Sequence, residues 1–265
     1  MNSPNAVSGV ATKEQAPGIK VLDPCPICES PFTAYVRHVL TRRTKQQIPL
    51  YICLDCLSFT NPSGYTETQE ILAADLQWHI SVSDRNKSAA KRLFDKLAEE
   101  GVKPRSVADI GCGIGSLLTV ARDRGMRVVG FDTNAQSTEY GRTQMKLNLV
   151  GNYWTKDTDT GPIDLYLCIS VCEHLEKPRP LIQDLCAAAA RQRAALFVSV
   201  PFVDRAAWPF ILDPDPYAKG TPFFDNDVHI THFSTKGLEN VMRDFGAPNF
   251  KFVQGGLWNG GLVKF

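Results

Sequence analysis

Four cysteines in the first quarter of the chain form two Cys-x-x-Cys pairs. Cys25 and Cys28 make up the first pair, Cys53 and Cys56 the second, and 24 residues separate the pairs. Two such pairs on hairpin turns can place four thiolates tetrahedrally around Zn²⁺, with sulfur at every ligand position. We therefore predict a structural zinc site with these four ligands. Two redox-active pairs are the alternative, but the βαβ surroundings of a thioredoxin-like site are not seen in the sequence.

A cluster of glycines, Gly111, Gly113 and Gly115, lies behind a short apolar run. Glycines let the backbone turn sharply and let a ligand approach the main chain, and the helix that follows offers free N–H groups. Asp132 ends the next apolar run, where a carboxylate can accept both hydroxyls of a ribose. These residues together predict a site for a nucleoside-type cofactor.

The spacing of these glycines differs from the dinucleotide fingerprint G-x-G-x-x-G/A, because Ser116 stands at its third position. Asp109, just ahead of the glycines, would also repel a pyrophosphate seated on the helix N-terminus. A cationic sulfonium or an α-amino group would instead be attracted to this carboxylate. The pattern thus favours a cationic nucleoside over a nicotinamide dinucleotide, and an oxidoreductase is the weaker alternative.

Alternating apolar strands and helices must position these residues. Strands are predicted at 106–110, 127–131, 164–169 and 194–200, with a weaker one near 151–154 and two closing strands near 249–254 and 261–265. Strands that are apolar along their whole length are typical of a parallel sheet covered on both faces. We predict an α/β fold with a Rossmann-like, doubly wound, mostly parallel seven-stranded sheet and a small N-terminal zinc-binding module.

Composition and pattern divide the chain into four parts. We predict a disordered tail at residues 1–20, because it holds too little apolar surface to offset its ordering entropy. A zinc-ribbon-like segment, called the cysteine module here, follows at 21–62, a helical connector at 63–104, and the cofactor-binding domain at 105–265.

The overall composition argues against several classes of protein. With a formal net charge of +1, the 265-residue chain has no global electrostatic case for binding DNA, RNA or an acidic membrane. No stretch reaches the length of a membrane span, and the N-terminus lacks the pattern of a secretory signal. We expect a cytoplasmic protein with reduced thiols, for which nucleic acid is not the expected partner. A homodimer, or contact of the basic run 37–45 with an acidic carrier protein, stays open.

Four motifs resemble those of the class I S-adenosylmethionine-dependent methyltransferases and occur in the same order. VADIGCGIG resembles their first motif, VVGFDTN the second, DLYLCISVCEHLEKP the motif at the end of strand four, and ALFVSVP strand five. HITHFSTKGLENVMRDFG is similar to the region after strand five in small-molecule members, and the resemblance spans roughly residues 80 to 265. It implies S-adenosylmethionine as the cofactor and methyl transfer as the reaction.

The resemblance also implies roles for single residues around the cofactor. Asp109, Gly111 and Gly113 should line its methionine part, with Gly115 in the same loop. The remaining implied contacts are Asp132 with the ribose, Thr133 beside the adenine, Asp157 as a further adenine contact, and Ile169 and Ser170 where strand four opens toward the cofactor.

Glu173 and His174 match the Glu-His-Leu stretch that borders the reaction centre in this family. A general base is needed if the acceptor is a hydroxyl, and the candidates are His174, His229 and His232. A helix-start acid favoured by the dipole is the alternative role for Glu173, and a place beside the helix cap Ser234 is the alternative for His232. Some relatives carry an extra acid upstream of the Glu-His pair and bind a metal there. This chain lacks that acid, so no metal is predicted at this site.

Segment 202–233 follows the fifth strand, where a cover for the active site is expected. Its aromatic residues suggest an apolar wall for an organic substrate, although packing of the segment on the domain is the favoured role for any single one of Trp208, Phe210, Tyr217, Phe223 and Phe224.

The sequence as a whole predicts methyl transfer to a small organic molecule in a biosynthetic pathway, at oxygen because histidines are available as bases. An RNA methyltransferase that recognises its substrate through the cysteine module is the alternative among enzymes, but residues 169–172 hold no Asn-Pro-Pro-Tyr-like motif. A non-catalytic zinc-binding interaction protein is the alternative outside enzymes. The intact Asp109, glycines and Asp132 argue against it.

Overall fold

Apolar runs of the sequence form the strands of two sheets. The structure, a computed structural model, describes residues 24–42, 44–61, 69–204, 207–212 and 224–265. The predicted disordered tail, Tyr217 and Phe223 lie outside the described residues.

The strands and helices follow the predicted alternation. The strands are β1 (Thr33–Leu40), β2 (Gln47–Cys53), β3 (Phe59–Thr60), β4 (Ser106–Ile110), β5 (Arg127–Phe131), β6 (Leu149–Val150), β7 (Leu165–Ile169), β8 (Ala195–Ser199), β9 (Thr231–His232), β10 (Lys251–Gly255) and β11 (Trp258–Lys264). The α-helices are α1 (Gln69–Ser81), α2 (Ser83–Glu99), α3 (Ser116–Asp123), α4 (Ala135–Thr143), α5 (Arg179–Gln192), α6 (Ala207–Leu212) and α7 (Thr235–Asp244), and a short 3₁₀ helix spans Cys172–His174.

The larger sheet has the strand order β10-β11-β8-β7-β4-β5-β6. Strands β4 to β8 are paired in parallel, whereas β11 is antiparallel to β8 and β10 to β11. Every residue of β4, β7 and β8 is buried, which explains why these strands are continuous apolar runs. The predicted seven-stranded, mostly parallel sheet is confirmed, and its two closing strands form an antiparallel edge.

Helices cover both faces of this sheet, as a doubly wound fold requires. Apolar side chains of α5 and α7 pack against one face, and those of α2 and α3 against the other. None of the helices in the described part of the chain combines the length and the apolar character needed to cross a membrane.

The weak third strand lies earlier in the chain than the sequence predicts. We expected it near 151–154, but β6 pairs with β5 through Leu149 and Val150 only. Trp154 has already left the sheet and packs its ring against Tyr166, with 5.9 Å between the ring centroids. An edge strand of two residues leaves too short an alternation to be recognised.

A second sheet, of order β1-β2-β3-β9, joins the cysteine module to segment 202–233. Phe59 pairs with His232 and Thr60 with Thr231. Ser234 extends this link, because its N–H donates to Ser58 Oγ at 3.0 Å and its hydroxyl donates to the carbonyl of Cys56. The sequence did not predict this sheet.

Aromatic residues of segment 202–233 fill the space beneath this second sheet. Phe224 is buried between Phe59 and Phe210, at 5.2 Å from each ring. Trp208 is 49% exposed. Packing is therefore the role of Phe210 and Phe224, in agreement with the interpretation that the sequence favoured.

Replacing Ser234 with alanine should lower the free energy of unfolding by about 1–2 kcal/mol. The hydroxyl of Ser234 accepts from Gly237 N at 2.8 Å as the cap of α7, and it also donates to Cys56 as described. Urea unfolding monitored by circular dichroism measures the loss. Thr143→Ala, at the exposed end of α4, is the control and should stay within about 0.5 kcal/mol of the parent. Equal stability of both variants would contradict the role of Ser234.

Candidate functional site

The glycine loop, Gly111–Gly115, crosses the carboxyl end of β4 close to the chain that follows β7. Gly111 has φ +77°, and a Cβ atom there would lie 2.2 Å from Cγ2 of Val171. A side chain at this position is excluded by both the backbone conformation and the contact. The close approach brings the loop next to the end of β7, so the two predicted motifs share one crevice.

Asp132 fixes the other side of the loop. Its Oδ2 accepts from Gly113 N at 2.7 Å, and its Oδ1 accepts from Asn134 N at 2.8 Å. A carboxylate oxygen has two lone pairs, so each oxygen can accept one further hydrogen bond, for example from a hydroxyl. The predicted ribose-binding acid therefore also holds the glycine loop in place.

Asp109 is the residue before the last of β4 and is 2% exposed. Burial, and then the nearby charge of Asp132, raise the pKa of Asp109 to about 7. A cation bound beside it would favour the ionised form.

Gly115, with φ +82°, precedes the first residue of α3, and Thr133 is exposed at the end of β5. The crevice thus combines a buried carboxyl group, which a bound cation would ionise, with a helix N-terminus.

Helix α1 covers this crevice. A Cβ atom on Gly113 would lie 2.9 Å from Cε1 of His79. Nε2 of His79 is 3.4 Å from Oδ2 of Asp75, and the same oxygen accepts from Nδ2 of Asn134 at 3.4 Å. Asp75 and His79 were not predicted as site residues, because α1 lies between the cysteine pairs and the glycine loop and contains no recognised motif.

Strand β7 ends in a strained turn beside the crevice. Ile169 is its last residue, and Ser170 has φ +56°, which is uncommon for a residue with a side chain. The N–H of Ser170 donates to the carbonyl of Ser199 at 2.9 Å. The left-handed turn redirects the chain into the 3₁₀ helix that carries Glu173 and His174, and strain of this kind is typical of functional sites.

Asp157 is not brought to the crevice. Its carboxylate lies 2.6 Å from Nζ of Lys156 and 3.9 Å from a guanidinium nitrogen of Arg191. Arg191 is in the last turn of α5. This helix ends just before the start of β8, so Arg191 lies at the amino ends of the parallel strands, whereas the crevice lies at their carboxyl ends. The structure gives no support for the implied adenine contact.

Glu173 is buried in the first turn after β7, with an exposed fraction of 1%. Neither of its carboxyl oxygens has a partner with good hydrogen-bond geometry among the described residues, although the Ser170 hydroxyl and the N–H of Glu173 itself lie near enough to oppose the effect of burial on its pKa. Burial raises the pKa of Glu173 to about 8, so at neutral pH the group is mostly a neutral acid. A buried polar group without a partner is uncommon and calls for a functional or ligand-based explanation.

His174 is oriented by the backbone. Its Nδ1 lies 2.9 Å from the carbonyl oxygen of Val228, which can only accept, so Nδ1 carries the proton. The lone pair is then on Nε2, which is 4.0 Å from Oε1 of Glu173. Burial lowers the pKa of His174, so the imidazole stays neutral and can accept a proton or bind a cation.

His229 joins this pair from segment 202–233. Its ring centroid lies 5.0 Å from that of His174, its Nδ1 is buried without a partner among the described residues, and burial lowers its pKa to about 2. One ligand atom from each of Glu173, His174 and His229 lies within 4.8 Å of the others. We call these three residues the Glu–His cluster. Two neutral imidazoles and a carboxyl group are also a donor set that can hold a divalent cation, which the sequence did not predict here.

His232 lies deeper, in β9, and is 2% exposed. Its Nε2 is 3.4 Å from Nδ2 of Asn61, and its ring centroid is 6.3 Å from that of His229. Burial lowers the pKa of His232 to about 3. The three candidate histidines therefore lie in one region, but His232 is set back behind the other two.

The four cysteines of the N-terminal pairs come together as predicted from their spacing. The Sγ atoms of Cys25 and Cys56 are 3.8 Å apart, those of Cys28 and Cys53 are 3.5 Å apart, and all four sulfur atoms lie within 4.8 Å of one another. Tetrahedral zinc with bonds of about 2.3 Å separates its sulfur ligands by about 3.8 Å. Burial raises the pKa of Cys28 to about 12, so binding a metal would release protons. The residues fit zinc.

Solved structures share the fold. A SAM-dependent methyltransferase from Archaeoglobus fulgidus has a TM-score of 0.50 at 19% identity and covers 64% of this chain and 71% of its own. Human N-acetylserotonin methyltransferase in complex with SAM has a TM-score of 0.51 at 13% identity, over 73% and 56%. A Nostoc punctiforme O-methyltransferase structure has a TM-score of 0.53 at 14% identity, over 72% and 60%. These similarities show that the chain shares the fold of these methyltransferases.

Sequence comparison then gives the family. Residues 82–250, which include the glycine loop, match the family model described as a methyltransferase domain. Because the match covers more than half of the chain, the chain belongs to this methyltransferase family.

Curated relatives match a shorter region. A ubiquinone biosynthesis O-methyltransferase from Idiomarina loihiensis is 26% identical over 107 residues, 38% of this chain and 44% of the relative. A protein of the same name from Glaesserella parasuis is 29% identical over 123 residues, 42% and 51%. The matched region thus spans about half the length of these relatives.

The purified protein should contain about one zinc ion per chain, held by the four cysteines. Metal analysis by mass spectrometry measures the ratio. Cys53→Ser should lose the zinc, whereas Cys186→Ser, which removes a buried thiol of α5, should retain it. A metal-free parent would contradict the zinc site. A second ion that Glu173→Gln loses and Cys53→Ser keeps would locate that ion at the Glu–His cluster.

Glu173→Gln should stabilise the protein increasingly as the pH rises from 5 to 8. The folded pKa of about 8 lies above the ordinary value, so in this window the folded state holds the proton that the unfolded state releases. Raising the pH therefore costs the parent up to about 1.4 kcal/mol per unit, and glutamine removes that cost. Thermal melts across the pH range test this, with the exposed Glu176→Gln as control. A constant difference between variant and parent would exclude the shift.

Proposed function

We propose that this protein transfers the methyl group of S-adenosylmethionine to an oxygen atom of a small organic molecule in a biosynthetic pathway. The observation that carries the proposal is the Glu–His cluster beside the glycine loop, in which Glu173 is buried and the two histidines are half-buried. A methyl acceptor with a hydroxyl group needs a base at this place. The names of the curated relatives, ubiquinone biosynthesis O-methyltransferases, agree with oxygen as the acceptor.

The cofactor would lie across the carboxyl ends of β4 and β5. Asp132 would accept the ribose hydroxyls with the lone pairs left free by Gly113 and Asn134, and Thr133 would lie near the adenine. Gly111 and Gly113 would admit the methionine part against the main chain, with Ile169 and Ser170 opposite them.

Charge supports this placement. Asp109 is buried close to the glycine loop, where a bound cation would keep it ionised. Because the fold places the N-terminus of α3 at the other end of the loop, the crevice offers complementary groups to both the cationic and the anionic parts of an amino acid. The positions predicted from the family resemblance are therefore chemically consistent with one another, except for Asp157.

When bound, the cofactor supplies an activated methyl group, so much of the catalysis consists of alignment with the acceptor. The chain's residues would take up the hydroxyl proton. His174 presents the lone pair of Nε2 as the base, whereas His229, whose pKa burial lowers to about 2, offers its unpartnered ring nitrogen as a hydrogen-bond partner. Glu173 is a neutral acid in the free protein and would ionise more easily beside a cation, which would let it receive the proton or stabilise an imidazolium.

The Glu–His cluster favours one further mechanism. A divalent cation held by Glu173, His174 and His229 would lower the pKa of a hydroxyl group bound to it. The hydroxyl would then lose its proton without a strong base. Dialysis against a chelator separates the two: activity that survives with the cysteine zinc retained supports the base, and activity restored by added Mg²⁺ or Mn²⁺ supports the cation.

Asp132→Asn should weaken binding of S-adenosylmethionine by about tenfold to a hundredfold, or ~1.4–2.7 kcal/mol, because an amide is a poorer acceptor for two hydroxyls. Isothermal titration calorimetry measures the change. Asp123→Asn, at the exposed end of α3, is the matched control and should bind within about twofold of the parent. No binding by the parent would favour a zinc-binding interaction protein without catalysis.

The acceptor class is tested by release of S-adenosylhomocysteine from a panel of phenols, catechols, sugars, carboxylic acids, amines and short RNAs. Turnover with hydroxyl compounds supports the proposal. Turnover with RNA alone would favour an RNA methyltransferase that uses the cysteine module for recognition.

A further inference from the structure

Asn61 is a buried polar residue of the cysteine module that contacts the candidate active site. It follows β3 and is 2% exposed. Its Nδ2 donates to the carbonyl oxygen of His229 at 2.9 Å and lies 3.4 Å from Nε2 of His232. One amide group therefore touches two of the three candidate histidines, which are about 170 residues away in the chain.

The carbonyl of His229 fixes the orientation of this amide. A carbonyl oxygen only accepts, so the nitrogen of the Asn61 amide must face it, and the flipped orientation would place two oxygens together. The same nitrogen then faces Nε2 of His232, which must be the acceptor. His232 is therefore held as the neutral tautomer with its proton on Nδ1.

Backbone hydrogen bonds extend the same contact. The N–H of Asn61 donates to the carbonyl of Ile230 at 3.0 Å, and the N–H of Ile230 donates to the carbonyl of Glu173 at 2.8 Å. Thr231 adds a bond from its hydroxyl to the carbonyl of Cys172 at 2.9 Å. Residues 228–233, which we call the histidine segment, are thus held between the cysteine module and the turn that carries Glu173.

We propose that Asn61 is a positioning residue for methyl transfer, which makes the cysteine module a wall of the active site. The inference rests on the proposed function for its effect on turnover, whereas its effect on the histidines does not depend on that function. Asn61 acts through the histidine segment and touches no reacting atom. Its loss should misplace His229 and allow His232 to adopt the other neutral tautomer. The cofactor crevice should stay intact.

Three variants test this. Asn61→Ala removes the amide, Asn61→Asp keeps its size but removes the N–H donors, and Thr60→Val is the matched control. Thr60 lies next to Asn61 and donates to the carbonyl of Ile230 at 3.3 Å, but no hydrogen bond joins its side chain to a histidine in the described part of the chain. Valine keeps its shape and β-branching, so the control isolates the contact with the histidines from general packing.

The first measurement is heteronuclear NMR of isotope-labelled histidine in the full chain, with and without S-adenosylhomocysteine. The His232 signal, assigned with a single variant at that position, should show the tautomer protonated at Nδ1 in the parent and in Thr60→Val. In Asn61→Ala and Asn61→Asp it should change to a mixture or to the other tautomer. A parent signal protonated at Nε2 would overturn the inference without any variant, and so would an unchanged signal in both Asn61 variants.

The second measurement separates positioning from binding. With the panel acceptor that turns over fastest, Asn61→Ala should lower kcat by about tenfold to a hundredfold, while KM and Kd for S-adenosylmethionine stay within about twofold. Thr60→Val should change neither by more than about twofold. Parent-like kcat in both Asn61 variants would refute the inference while leaving methyl transfer established. Absence of turnover in the parent would instead refute the proposed function, and the NMR result would still decide the role of Asn61.

Discussion

The carboxyl group of Glu173 is buried in a place where no described residue makes a well-formed hydrogen bond to it, and much of the site depends on this constraint. Burying such a group costs free energy unless it stays neutral or gains a partner. The extensive apolar core on both faces of the sheet must compensate for that cost. The site therefore holds a carboxyl group and two neutral imidazoles, each with an oxygen or nitrogen atom that is not hydrogen-bonded to the protein. Such groups are available to a substrate or an ion without first breaking internal hydrogen bonds.

The parallel sheet with its glycine loop lies on one side of this carboxyl group, and the cysteine module lies on the other. On the cofactor side, close backbone packing is decisive, because Gly111 leaves no room for a Cβ atom against Val171. On the other side, polar contacts from the cysteine module hold the histidine segment. The first arrangement is a property of the parallel sheet, whereas the second comes from a part of the chain that lies outside the matched residues 82–250. Differences among relatives in this added part would therefore alter the reaction centre without altering cofactor recognition.

The sequence predicted the elements that depend on local pattern. Continuous apolar runs located β4, β5, β7 and β8 to within about a residue, and the Cys-x-x-Cys spacing located four thiols that come together. Glycines with a following acid located the crevice, because carboxyl ends of parallel strands meet at one edge of a sheet.

Features that depend on distant pairing were not predictable in the same way. Strands β3 and β9 have two residues each, too few for a periodic signal, and they pair only because the flanking segments bring them together. Asn61 and His79 each carry an ordinary polar side chain whose meaning arises from contacts across the fold. The contact expected of Asp157 depended on the third strand, which ends earlier than expected, and the structure pairs this residue with Lys156 and Arg191.

The bond between Ser234 and Cys56 links residues 178 positions apart in the chain. A ribosome adding ~5–20 residues per second needs roughly 9 to 36 s to make that stretch. The cysteine module therefore leaves the ribosome long before its last strand exists, and during this interval the open edge of β3 is exposed to other chains. Early capture of metal would order the thiol end of the nascent module, but the sheet closes only when the C-terminal part of the chain arrives.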